Sequence, residues 1–200
     1  MNLLHIDSSI LGDHSVSRQL TAEVVESIRL AEPSVNVTYR DVTRQLNLQL
    51  DDAFLAAKGT PAESRSAEQA AQVALSEAVM AEFLAADVLV LGAPMYNFSV
   101  PSQLKAWIDM ITVAGVTFKY GANGAEGLAT DKRAVIVATA GGQHQGTATG
   151  IAHIDYLRVV LGFIGISDIR VISAEGLAMG PDVRDLAIAA ARESLSGVAN

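Results

Sequence analysis

Ala86-Asp87-Val88-Leu89-Val90-Leu91-Gly92-Ala93-Pro94-Met95-Tyr96-Asn97-Phe98-Ser99-Val100-Pro101 reads as a buried strand, a turn and the start of a helix. Val88 to Leu91 is an unbroken apolar run, the pattern of a parallel strand covered on both faces. Gly92, Pro94 and Pro101 punctuate regular structure. Leu104, Trp107, Ile108 and Ile111 then fall at helical spacing. The turn between carries Met95, Tyr96, Asn97 and Phe98. Open α/β sheets bind ligands at the carboxyl ends of their strands, so this turn offers a flat ring a surface and backbone groups to read its edge.

Working outward, residues 2–7 form a first strand and Leu20, Val24, Ile28 and Ala31 a helix face that Pro33 ends. Between them lie Ser8, Ser9, Gly12, Ser15 and Ser17. Neither G-x-G-x-x-G nor G-x-x-x-x-G-K-[ST] is present, so a dinucleotide fingerprint and a P-loop are both excluded. Hydroxyls of Ser9, Ser15 and Ser17, with the free amides of a helix start, suit a terminal phosphate. The plainer alternative is that Ser15 or Ser17 only caps the helix. Val35, Val37 and Tyr39 alternate with polar neighbours, which predicts an edge strand. A short helix near 51–57 and an alanine-rich one over about 64–85, with Val73, Met80 and Leu84 inward, lead back to the central strand.

Downstream, residues 114–131 form a long excursion in which Phe118 and Tyr120 flank Lys119, read as a flap or hairpin or else a plain surface loop. Residues 134–138 are a second continuous apolar strand opening into Thr139-Ala140-Gly141-Gly142, where paired glycines permit close approach of a ligand. A helix over about 151–161, an edge strand over 169–174 and a last helix carrying Leu186, Ala190 and Leu195 complete the chain. The expectation is one domain over 1–200, with the flap as an insertion. Its core is a doubly wound, flavodoxin-like α/β fold: five parallel strands, order 2-1-3-4-5, helices on both faces.

Composition narrows the function. The net charge is −8 with pI near 4.9, which argues against general nucleic-acid or anionic-membrane binding. There is no cysteine, which removes disulfides and thiolate chemistry and points to the cytoplasm. A strand beginning at residue 2 leaves no room for a signal peptide, and no apolar run is long enough for a membrane span. His5, His14 and His153 lack metal-ligand spacing, so no metal is expected. Asp7 reads as a structural acceptor for the first loop.

In the expected strand order, the loops after strands one, three and four lie side by side. They bring together a hydroxyl cluster, the residue 95–98 platform and the Gly141-Gly142 corner, which fits a ligand with a phosphate, a polyol and a flat polar ring, as in FMN. The chain resembles the bacterial FMN-dependent azoreductases within the NAD(P)H:quinone oxidoreductases. The resemblance rests on Ser8-Ser9-Ile10-Leu11, Ser15-Val16-Ser17, Ala93-Pro94-Met95-Tyr96-Asn97-Phe98, Gln103-Leu104-Lys105, Ala114-Gly115-Val116-Thr117-Phe118, Gly141-Gly142, residues 161–166 and Ala174-Glu175-Gly176. It implies that Ser9, Ser15, Val16 and Ser17 hold the FMN phosphate. Pro94, Met95, Tyr96, Asn97 and Phe98 would contact ribityl and ring, and Thr139, Ala140, Gly141 and Gly142 the ring edge. It implies a homodimer with active sites at the subunit interface, which would bring Phe118, Tyr120 and Phe163 near the substrate. Many relatives have an arginine where this chain has Ala140, leaving only backbone contacts at that position.

The expected reaction is ping-pong reduction of quinones and azo compounds by NADH or NADPH, the hard chemistry residing in the flavin. No side chain is assigned as catalytic. His144, in the Gly-Gly loop, is a substrate-pocket candidate or a solvated surface residue. Two rivals remain. A Gly-Asp-Ser-type hydrolase would use Asp7-Ser8, but no histidine follows His153 and no G-x-S-x-G elbow exists. A flavodoxin-like electron carrier would share fold and charge without needing the 115–130 flap, and NADH would not bleach its flavin.

Overall fold

Seven consecutive residues of one strand, Val88–Pro94, are buried without exception, and the molecule is layered about them. The computed structural model describes residues 1–45, 49–149 and 152–198. In chain order the elements are β1 (Asn2–Asp7), α1 (Val16–Ala31), β2 (Asn36–Asp41), α2 (Val42–Gln45), α3 (Asp52–Gly59), α4 (Ala67–Ala85) and β3 (Val88–Pro94). They continue with α5 (Ser102–Ile111), β4 (Phe118–Gly121), β5 (Gly124–Gly127), β6 (Arg133–Thr139), α6 (Ala152–Phe163), β7 (Asp168–Ala174) and α7 (Pro181–Glu193). Ile151, where the sixth helix was expected to begin, lies outside the described residues.

The main sheet has five strands in the order β2-β1-β3-β6-β7, all parallel. A separate antiparallel pair, β4–β5, takes two places in the chain numbering, so the fourth and fifth strands of the expected sheet are β6 and β7. Strand side chains alternate between faces. Leu4, Ile6, Leu89, Leu91 and Ile136 pack with Phe83, Leu104, Trp107 and Leu157 on one side. Leu3, Val88, Val90, Val135, Val137 and Ile172 pack with Val24, Ile28 and Ala191 on the other. Each fully buried aliphatic side chain contributes about 1.5–3 kcal/mol, so β3 alone outweighs any single cap or surface ion pair.

Two helix faces differ from expectation by one residue. On α4 the buried positions are Val73, Ser76, Val79 and Phe83, while Leu84 is 47% exposed. Phe83 meets Trp107 edge to face at 6.3 Å, and the following residue is turned about 100° away from that contact. On α7 Ala191 is buried and Leu186 is 72% exposed, with Arg192 paired to Glu23 of α1 at 2.7 Å. The α4–β3 corner is closed by the buried Lys132, whose Nζ donates to the Leu84 and Ala86 carbonyls at 2.9 and 2.7 Å.

The excursion is a hairpin rooted in the fold. Ala129 N–H donates to the Ile164 carbonyl at 2.8 Å, and the Gly165 backbone leaves no room for a Cβ at Gly127. Among the described residues, no helix is long and apolar enough to cross a membrane.

Candidate functional site

The loop leaving β1 is tied down by the chain's own hydrogen bonds. The Ser8 hydroxyl donates to the Gly92 carbonyl at 2.6 Å, tying the loop to β3. Arg18 donates from Nε and a terminal nitrogen to the Ser9 carbonyl at 3.2 and 2.8 Å and pairs with Asp41 at 2.8 Å. Asp7 accepts from the Thr21 and Tyr39 hydroxyls at 2.8 and 3.0 Å, with His5 Nε2 at 3.4 Å. Burial pushes the Asp7 carboxyl up, but His5, Thr21 and Tyr39 together hold it below the usual carboxylate range. The Tyr39 phenol is pushed up to about 12 by burial and by the Asp7 charge. Gly92 makes the arrangement possible: a Cβ there would stand 3.0 Å from Asp7 Oδ1. Asp7 is therefore a structural acceptor.

On this base sit the predicted hydroxyls. Ser9, Ser15 and Ser17 are at most 2% exposed. Ser15 caps α1, accepting from the Arg18 amide at 3.3 Å, and also pairs with the Ser17 hydroxyl at 2.9 Å. The capping role is real and does not remove the hydroxyl cluster. Among the described residues, the Val16 and Ser17 amides donate to no protein acceptor, as the first turn of a helix dictates.

After β3, residues 95–98 form a tight reversal. Tyr96 and Ser99 exchange backbone hydrogen bonds of 3.0 and 3.1 Å, and between them Asn97 (φ 50°) and Phe98 (φ 67°) occupy the left-handed region. Asn tolerates this; Phe does so at a cost of about 1–2 kcal/mol. The Tyr96 hydroxyl lies 3.2 Å from both Ser9 Oγ and the Ile10 amide, joining this turn to the first loop.

The third loop follows β6. The carbonyls of Ala140, Gly141 and Gly142 accept from Leu177, Ala178 and Gly176 at 3.1, 2.9 and 2.8 Å. Among the described residues, the Gly141 and Gly142 amides donate to no protein acceptor. One carboxylate oxygen of Glu175 accepts from the amides of His144 and Gln145 at 2.8 and 2.9 Å, fixing the loop's far end. The His144 ring then meets Phe98 edge to face at 5.9 Å, closing the third loop onto the second. His153 beneath is buried, and burial drives its pKa below the usual imidazole value although Glu175 pulls the other way.

Ser9, Ser15, Val16, Pro94, Met95, Tyr96, Thr139, Ala140 and Gly141 line one cavity of about 320 Å³. Met95, Tyr96 and Asn97 also border a second groove of about 810 Å³ that runs past Lys105 and Tyr156. Ser17 stands behind Ser15, and Phe98 and Gly142 stand at the His144 contact. Phe118, Tyr120 and Phe163 line neither space. They cluster instead, Phe118 lying 5.6 Å from Tyr120 and 4.6 Å from Phe163. Leu11 and His14 of the first loop also line the 320 Å³ cavity, and sequence reasoning passed over the lining from beyond β7, Leu177, Ala178 and Arg184. The signal was available: β7 neighbours β6, so its following loop also reaches this end of the sheet. Among the described residues, no group of three or more His, Asp or Glu side chains is placed to hold a metal.

A family model described as Flavodoxin-like fold matches residues 1–198. The chain is 59% identical to FMN-dependent NADH:quinone oxidoreductase 2 of Pseudomonas aeruginosa, over 98% of both chains. It is 54% identical to FMN-dependent NADH:quinone oxidoreductase 1 of Pseudomonas putida, over 98% of this chain and 97% of that one. Its fold is that of an azoreductase from Bacillus anthracis str. Sterne, with TM-score 0.87 at 24% identity over 100% and 99% of the two chains. An FMN-dependent NADH-azoreductase from Bacillus anthracis str. Ames Ancestor, solved in complex with FMN, superposes with TM-score 0.85 at 23% identity over the same shares.

Proposed function

The chain belongs to the Flavodoxin-like fold family, and from that premise we propose that the 320 Å³ cavity is the FMN site of an oxidoreductase. The enzyme takes two electrons from NADH and delivers them to quinones and azo compounds, the activity named in relatives that match it end to end. One observation carries the site assignment. A single cavity is lined both by Ser15 and Val16 at the start of α1, where the Val16 and Ser17 amides donate to no protein acceptor among the described residues, and by Gly141, whose amide is free in the same sense. The first set suits a phosphate and the second an electron-rich ring edge.

Bound FMN supplies the reversible two-electron chemistry. The protein's part is to bind, orient and stabilise. Ser9, Ser15, Val16 and Ser17 would hold the phosphate with hydroxyls and amides. Residues 94–98 would carry ribityl and ring, on a turn held by the paired backbone hydrogen bonds of Tyr96 and Ser99. Residues 139–142 would contact the ring edge. The Gly141 and Gly142 amides point donors at negative charge that builds there, and Ala140, a methyl 4% exposed, adds no polar group. This division assigns proton transfer to no side chain.

The working unit in this reading is a cytoplasmic homodimer. Exposed Ile10, Leu11, Phe98, Tyr120 and Met179, at 54–75%, give apolar surface that one subunit has little reason to show. A partner seated there would bring the Phe118, Tyr120 and Phe163 cluster toward the cavity. Heat release of the cofactor, identified chromatographically, should yield FMN. FAD, or no flavin after reconstitution with either, overturns the assignment. NADH alone should bleach the bound flavin; an unchanged spectrum would favour a simple electron carrier.

A further inference from the structure

The FMN reading leaves one charged side chain of the cavity without a task. Arg184, in the first turn of α7, is half-buried and lines the cavity beside Ser9, Ser15, Val16 and Gly141. Among the described residues its guanidinium has neither a hydrogen bond nor an ion pair, unlike Arg18, Arg40 and Arg192, which all hold carboxylates. Its position along the fold is set independently of the cavity. Helices α1 and α7 cover the same face of the sheet and run in the same direction, and they are joined where Arg192 reaches Glu23 at 2.7 Å. Arg184 stands eight residues before Arg192, and Ser15 stands eight before Glu23. At 1.5 Å per residue both lie about 12 Å from that contact, so Arg184 is level with the cap of α1.

We propose that Arg184 is the counter-cation of the FMN phosphate, an arginine reaching across from α7 to a site otherwise built of neutral donors. The proposal rests on the FMN reading above. Its logic is charge: hydroxyls and amides of Ser9, Ser15, Val16 and Ser17 satisfy phosphate oxygens, but none neutralises a group carrying up to two negative charges in a chain of net charge −8. A guanidinium presents planar paired donors that match phosphate. Among the described residues the only other basic side chain lining the cavity is His14, which is exposed. The arginine also distinguishes ligands. A flavin without phosphate offers it nothing.

The test compares FMN with riboflavin, titrated by flavin fluorescence into full-length chain freed of cofactor, for the wild type, Arg184→Met and Arg184→Lys. A charge-assisted contact predicts that Arg184→Met weakens FMN about tenfold to a hundredfold and leaves riboflavin within about twofold. Arg184→Lys should recover part of the loss. The FMN affinity of the wild type should fall more steeply with salt than that of Arg184→Met. Equal loss for both flavins, or loss for neither, with an unchanged circular dichroism spectrum, overturns the role. A wild-type chain that takes up neither flavin overturns the FMN reading itself.

Discussion

At the scale of single residues, the site is, Arg184 apart, a set of neutral donors held by a charged scaffold one layer below. Ser17 tests the upper layer. A carboxylate placed about 4 Å from a phosphate charge, at the effective dielectric of a partly buried site, opposes it by ~4 kcal/mol. Ser17→Asp should therefore lower FMN affinity by about 10²–10³-fold in a fluorescence titration while circular dichroism stays unchanged; retained affinity would leave Ser17 only its bond to Ser15. Asp7 tests the lower layer. Its folded pKa lies below the ordinary value of 3.8, so the ionised carboxylate stabilises the fold above that value, and this contribution is lost as pH falls through the folded pKa. Urea melts should show stability dropping below about pH 4. Asp7→Asn should be less stable by about 2–3 kcal/mol at neutral pH, where hydrogen bonds to a charged acceptor are lost, with a flatter acid limb. An acid limb of unchanged steepness would assign it to other carboxylates.

At the scale of elements, the strands were legible because burial on both faces leaves an unbroken apolar run, as in Val88–Leu91. The edges were legible because half-burial leaves alternation, as at Val35, Val37 and Tyr39. Helix faces were legible only to within a residue. α4 is so rich in alanine that Leu84 and Phe83 made equally good inner faces until Trp107 chose between them. That the three loops meet was legible from their place at the ends of neighbouring strands, and residues of all three line one cavity, whereas Arg184 was not legible, since an arginine after a loop carries no mark of which cavity it lines. Lys132 shows the same limit. Nothing in the sequence around it marks it as buried, yet it is 6% exposed and holds two carbonyls where α4 ends. Lys132→Met keeps much of the volume but strands those acceptors, which cost about 1–3 kcal/mol each when buried and unpaired. We expect a stability loss of about 2–4 kcal/mol in a denaturant melt, with FMN affinity unchanged. A loss below about 0.5 kcal/mol would mean that water replaces the ammonium.

At the scale of the whole molecule, the predictions concern assembly and traffic through one site. Light scattering at assay concentration should report a dimer, and an active monomer would contradict the shared site. In the FMN reading the ring lies against the turn whose Met95 and Tyr96 line the cavity, so a nicotinamide and a quinone, both flat, must use the open face in turn. Double-reciprocal plots for NADH at several quinone concentrations should be parallel, and high quinone should compete with NADH; intersecting lines would mean that both are held together. The hairpin bears on the same traffic. Its β5 strand rests backbone on backbone against Gly165, with no side chain between to slide or re-pack. Such a root behaves as masonry. A hairpin fastened this way belongs to the body of the subunit, so in the dimer proposed above it would present one fixed outline to a neighbouring cavity. Which acceptors such a dimer admits would then be a matter of spare room, with molecules too thick for the opening refused on shape alone.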